Sequence, residues 1–152
     1  MKVAFFRGGR SPMDRLIRWW TKSPYAHVEL LFDDGTMISA CPGIGVRSIL
    51  VASLDVQHWD LVAVPIDHDH AVALSRWCLG ELGCHYDWWG LFVTQVLGFP
   101  RSHPTKWFCS EFCAAALEHA DVDLGIDPCK VSPGALYDLL KTHPTRALPC
   151  AS

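Results

Sequence analysis

AHVELLFDDGTMISA, residues 26–40, reads as two β-type runs joined by a turn. Asp33-Asp34-Gly35 supplies the residue types a tight hairpin favours, with Gly free to take a positive φ. Strand side chains alternate, so His27, Glu29 and Leu31 share one face of the first run. Working outward, Pro42-Gly43 and Gly45 lead into a further strand over 46–51, and the apolar run 59–66, bounded by Pro65, makes another. Upstream, Val3–Phe6 forms a short strand broken at Gly8-Gly9. Ser11-Pro12 then supplies an N-cap and a first-turn proline for a helix over 13–20. That helix carries Leu16, Ile17 and Trp20 on one face and Arg15 and Arg18 on the other, and Ser23-Pro24 ends it. Downstream, helical spacing runs over 70–82 (Val72, Leu74, Trp77, Cys78, Leu82), ending at Gly83. The aromatic, Gly-interrupted stretch 86–99 is read as helix. Residues 109–119 place Phe112, Ala115, Ala116 and His119 at i, i+3, i+4 and i+7, and Ser132-Pro133 caps a last helix to Leu140. Helices on either side of a small antiparallel sheet predict an α+β fold in a single domain over 1–152.

The composition narrows the function classes. Half of the 152 residues are apolar and 19% are charged, so a substantial core is affordable and disorder is excluded. Thirteen Lys+Arg against 16 Asp+Glu give a net charge of −3, which disfavours a nucleic-acid partner held through phosphates. MKVAFFRGGR is too quickly charged for a secretory signal. No run approaches the roughly 18 apolar residues of a membrane span, so a cytoplasmic protein without stable membrane insertion is expected. Seven cysteines, an odd number, read mostly as reduced, buried small hydrophobes.

One cysteine stands apart. In WFCSEFCAAAL, residues 107–117, Cys109 opens a helix, where unpaired backbone N–H groups stabilise a thiolate. Cys113, one turn deeper, suits the core. A nucleophilic thiolate needs a base, and His27 on its strand is the candidate. His68 and His70 flank a turn, while His103 and His143 precede prolines. Zinc spacing of the C-x2-C type is lacking, as are a phosphate-binding G-x-x-x-x-G-K loop and a G-x-S-x-G elbow. No metal or other cofactor is implied.

Read in order, SPYAHVELLFDDGTMISACPGIGV, GCHYDWWG and WFCSEFCAAAL resemble the NlpC-type branch of the papain-like cysteine peptidases in its circularly permuted form. The His hairpin comes first, then the G-x-x-Y segment, then the Cys helix; the permuted bacterial lipoprotein-like peptidases and the lecithin retinol acyltransferase relatives share this order. The likeness spans residues 23–120. It implies a small antiparallel sheet packed against helices with the nucleophile at a helix N-terminus. Cys109 matches the nucleophile, His27 the general base, and Tyr86 the tyrosine beside the catalytic Cys. The family's third polar residue lies twelve positions after the His, where this chain has Ser39. Glu29, on the His27 face, is the other candidate to hold the imidazole, although same-face neighbours on a strand lie about 7 Å apart.

The resemblance implies a cysteine hydrolase, a peptidase or amidase that cleaves an amide through a thioacyl-enzyme, with peptidoglycan stem peptides as the first substrate. The alternatives are a lipid or acyl-amide or ester hydrolase or acyltransferase, and a catalytically idle binding or virion-structural module on the same fold. Trp88 and Trp107 are substrate-binding candidates, and Trp19, Trp20 and Trp89 are further apolar candidates for a pocket wall. A disulfide between Cys109 and Cys113 is disfavoured by their i, i+4 spacing on one helix. The short, single-domain form looks like phage- or prophage-encoded members of the permuted group.

Overall fold

A computed structural model describes residues 1–9, 11–86 and 106–142. Its sheet has five antiparallel strands: β1 (Lys2–Phe6), β2 (His27–Leu31), β3 (Thr36–Cys41), β4 (Gly45–Leu50) and β5 (Trp59–Ala63). They lie in the order β4-β3-β2-β1-β5, so the N-terminal strand sits inside the sheet between β2 and β5. The 33–35 turn closes as expected: Phe32 N–H donates to the Thr36 carbonyl, Gly35 takes φ +85°, and Asp34 Oδ1 accepts from Thr36 N–H at 2.8 Å.

Helices α1 (Pro12–Thr21), α2 (His68–Gly80), α3 (Cys109–Glu118) and α4 (Pro133–Thr142) complete the α+β architecture, with a 3-10 turn at Pro128–Lys130. Ser11 caps α1 in a reciprocal capping box with Asp14, with Pro12 in the first turn. Asp67 caps α2, which starts two residues earlier than the apolar spacing indicates; His68 and His70 therefore lie in its first turn rather than flanking a loop. His70 is buried there between Asp67 (2.7 Å) and Asp121 (3.3 Å). The expected helix over 86–99 is corrected at its start: Tyr86 belongs to a two-residue strand, β6 (His85–Tyr86), paired in parallel with β7 (Lys106–Trp107). Residues 87–99 of that expectation lie outside the described residues.

The core gathers around α3, which packs against β2, β3, α2, α4 and the 3-10 turn. Phe108, Phe112, Cys113, Ala114, Ala116 and Leu117 are fully covered, so this helix is buried nearly all round rather than along one stripe. Trp77 lies against Phe112 and His119, and meets Trp107 edge-on. β2 and β3 are covered on both faces: Val28 to Leu30 and Met37 to Cys41 are all buried. Gly45 joins the β6 segment to the sheet. It has φ +89°, and a Cβ there would meet the Cys84 carbonyl at 2.2 Å, so only glycine allows Val46 N–H to bond Cys84 O at 2.9 Å. Among the described residues, no helix is long and apolar enough to cross a membrane.

Candidate active site

His27 is the first residue of β2, and Cys109 is the first of α3. The packing of α3 across β2 sets Cys109 close enough to His27 for its charge to act on the imidazole. Phe108 occupies the N-cap without any side-chain acceptor, so the N–H dipoles of the first turn act at the Cys109 position. His27 Nε2 lies 3.1 Å from Glu29 Oε1 and 3.6 Å from Cys41 Sγ. Burial works against the imidazolium, but the charge and hydrogen bond of Cys109, aided by Cys41 and Glu29, outweigh it. They hold the His27 pKa well above the ordinary imidazole value.

Glu29, not Ser39, touches the imidazole. The Cβ atoms of two same-face strand residues are far apart, but a glutamate is long enough to lean along the strand and close the gap. The paired residues Leu30–Ile38 and Leu31–Met37 set the β2–β3 register. Continued along both strands, it places Ser39 opposite Glu29 and Cys41 opposite His27. The Ser39 hydroxyl is turned to the backbone, donating to the Val28 carbonyl at 2.7 Å. The hydroxyl therefore serves β2 rather than the histidine.

Two residues of the site were not anticipated from the motifs: Cys41 and Arg47. In β3–β4 pairing Arg47 stands opposite Ser39, so Glu29, Ser39 and Arg47 form a row across three strands. The short serine leaves room for Arg47 to reach past it, and Arg47 Nη2 meets Glu29 Oε1 at 2.9 Å. Arg47 Nε also donates to Cys41 Sγ at 2.9 Å. The signal in the sequence was the register of two consecutive hairpins, which becomes available only once both turns are placed. His27, Glu29 and Cys41 offer nitrogen, oxygen and sulfur donors within 4.8 Å of one another, a set able in principle to hold a metal. Here the Arg47 guanidinium bonds two of the three donors, and its positive charge opposes a second cation at that place. Glu29 is 3% exposed, and its Oε2 has no hydrogen-bond partner among the described residues, so the carboxylate depends on its Oε1 contacts with His27 and Arg47.

A pocket of about 310 Å³ opens beside His27. Tyr86, Cys41 and Arg47 line it with His27, and Phe6 and Ile17 form part of its apolar wall. Tyr86 thus lines the same pocket as His27. Trp107 does not: its indole Nε1 donates to Glu81 Oε2 at 2.8 Å and its ring packs on Trp77, away from the pocket lining. Trp19 and Trp20 are exposed on α1 and are not among the pocket residues. Trp88 and Trp89 lie outside the described residues. Cys113 is fully buried, and its thiol is pushed well above the usual range by burial and by the neighbouring Cys109, Cys78 and Glu29. Cys109 and Cys113 are both free thiols.

A scan of protein-family models finds no match to this sequence, and a search of curated proteins finds no significant relative. The likeness to permuted papain-like peptidases therefore rests on the motifs themselves.

The raised pKa of His27 has a consequence of definite sign. Such a histidine contributes stability that is complete below the ordinary value of 6.5 and is lost as pH climbs through the raised, folded-state value. Thermal melts of the wild type and of His27→Gln across pH 5.5 to 9 should show the largest gap at the acid end, narrowing as the pH rises. A gap that widens with pH would mean that His27 is neutral in the folded protein.

Proposed function

We propose that the protein is a thiol hydrolase of the permuted papain-like type, cleaving an amide through a thioacyl-enzyme. One observation carries this reading: the His27 imidazole is bonded to a buried carboxylate and feels the charge of a helix-opening cysteine. His27 takes the thiol proton of Cys109, and the thiolate attacks the carbonyl carbon of the substrate. The oxyanion is met by the backbone N–H of Cys109, with the Tyr86 hydroxyl as the second candidate donor. Collapse of the tetrahedral adduct breaks the C–N bond, and His27 returns its proton to the departing amine. Water, deprotonated by His27, then attacks the thioester, releasing the acid and restoring the thiol. Glu29 acts through His27 by holding Nε2, and Arg47 acts through Glu29, so both are positioning residues. Peptide stems of bacterial cell wall are the first substrate class.

The apolar wall of the pocket favours a second reading, in which the acyl group is a hydrocarbon chain and the enzyme acts on acyl amides or esters. One experiment separates these readings from an idle module on the same fold. The protein is incubated with muropeptides, long-chain acyl amides and activated acyl esters, quenched in acid, and weighed intact. An added mass equal to the acyl group, mapped to Cys109 and missing in Cys109→Ser, identifies the enzyme and its substrate class. No adduct and no turnover with any of the three would leave the fold as a binding module.

A further inference from the structure

We infer that α1 is a docking element for an anionic phospholipid surface and that it presents the pocket to the bilayer. Arg18 is on the inward side, where its guanidinium binds the backbone carbonyls of Arg7, Gly8 and Gly9. The apolar arc is covered only along its pocket edge: Met13 and Ile17 are half-buried, whereas Leu16 is 52% exposed and Trp19 72%, and no residue of α1 is buried. A helix that serves only to cover a core would bury this arc.

Three features select a lipid surface as the occupant. The first is charge. Over residues 11–22, three cations (Arg15, Arg18 and Lys22) oppose one carboxylate (Asp14), in a chain of net charge −3. Arg15 and Lys22 are exposed beside the apolar arc, while Asp14 is held in the capping box. The second is residue type: Trp and Leu beside Arg and Lys on one short amphipathic helix suit the boundary between headgroups and acyl chains. The third is continuity. Met13 and Ile17, on the same helix, line the pocket that reaches His27. Pro42, in the β3–β4 turn, lines it too, and Ile44 in that turn is 66% exposed. The rim thus offers apolar residues from both α1 and the turn. This docking does not depend on the hydrolase reading, since it needs no chemistry at Cys109.

The test is co-sedimentation of the full chain with vesicles of phosphatidylcholine alone and of phosphatidylcholine with 30% phosphatidylserine. Binding is expected to the anionic vesicles and to weaken as salt is raised. Arg15→Glu with Lys22→Glu should lower the partition coefficient by about tenfold or more. Leu16→Ala with Trp19→Ala should lower it comparably, whereas Cys109→Ser should bind as the wild type does. Circular dichroism of each variant confirms that it is folded. Lack of binding to the anionic vesicles, or binding untouched by both double variants, overturns the proposal. So does a dimer in analytical ultracentrifugation that Leu16→Ala with Trp19→Ala converts to monomer, because a second copy would then be the occupant.

Discussion

Iodoacetamide should modify Cys109 ahead of the other described cysteines at pH 7, and His27→Ala should slow that reaction by about 100-fold. The selectivity follows from what surrounds each thiol. Burial pushes Cys78 up to about 12 and, together with Asp127, Cys129 up to about 11. Cys113 is held higher than its usual range by burial, and Cys84 by burial and Glu81. Only a thiolate alkylates, so these four react slowly at neutral pH. In the proposed pair Cys109 gives its proton to His27, and it is the first residue of a helix, where the N–H dipoles favour a thiolate. Cys109 itself is only 3% exposed, and the thiol that lines the pocket beside His27 is Cys41, which makes Cys41 the competitor for a small reagent. Peptide mapping by mass spectrometry reads every site at once. Labelling that falls first on Cys41, whose Sγ lies 3.6 Å from His27 Nε2, would remove Cys109 as the nucleophile; indifference to His27→Ala would remove the base.

The second large effect concerns Glu29. Its buried carboxylate is the common partner of His27 and Arg47. Glu29→Ala removes that partner from both cations, and breaking a buried ion pair from one side costs about 3–5 kcal/mol. Glu29→Gln keeps the shape and an acceptor oxygen but loses the charge, and should cost less. Combining Glu29→Gln with Arg47→Met should recover much of the loss, because neither charge then remains buried without the other. Denaturant titration of the wild type, Glu29→Gln, Arg47→Met and the double variant measures this directly. A double-variant loss equal to the sum of the two single losses would show that Glu29 and Arg47 are not coupled. The same series separates positioning from folding: if Glu29 orients His27, Glu29→Gln with Arg47→Met should still label Cys109 slowly even where stability is restored.

Much of the local structure was legible from short-range rules. The Asp33-Asp34-Gly35 turn, the Ser11-Pro12 cap and the Ser132-Pro133 start all act within a few residues, and each forms where those rules place it. The α+β class follows from the same local signals. The candidate pair of Cys109 and His27 was nameable because each residue type sits at a position that suits its chemistry. Tyr86 was nameable only from the resemblance. It lies on a two-residue strand fixed by pairing with residues 106–107, a contact about 20 positions away in the chain that no local pattern encodes.

The amino-acid sequence by itself determined most of the elements, the alternation that puts His27 and Glu29 on one face, and the placement of a cysteine at a helix start. Tertiary structure alone decided what each polar group does. It turned Ser39 to the Val28 carbonyl, brought Arg47 past it to Glu29, set Cys41 beside His27, tied Trp107 to Glu81 and left the apolar arc of α1 exposed. The reason is physical. Secondary structure and capping arise from interactions within a few residues, whereas the partner of a buried charge is fixed by strand register and helix packing, which depend on the whole chain.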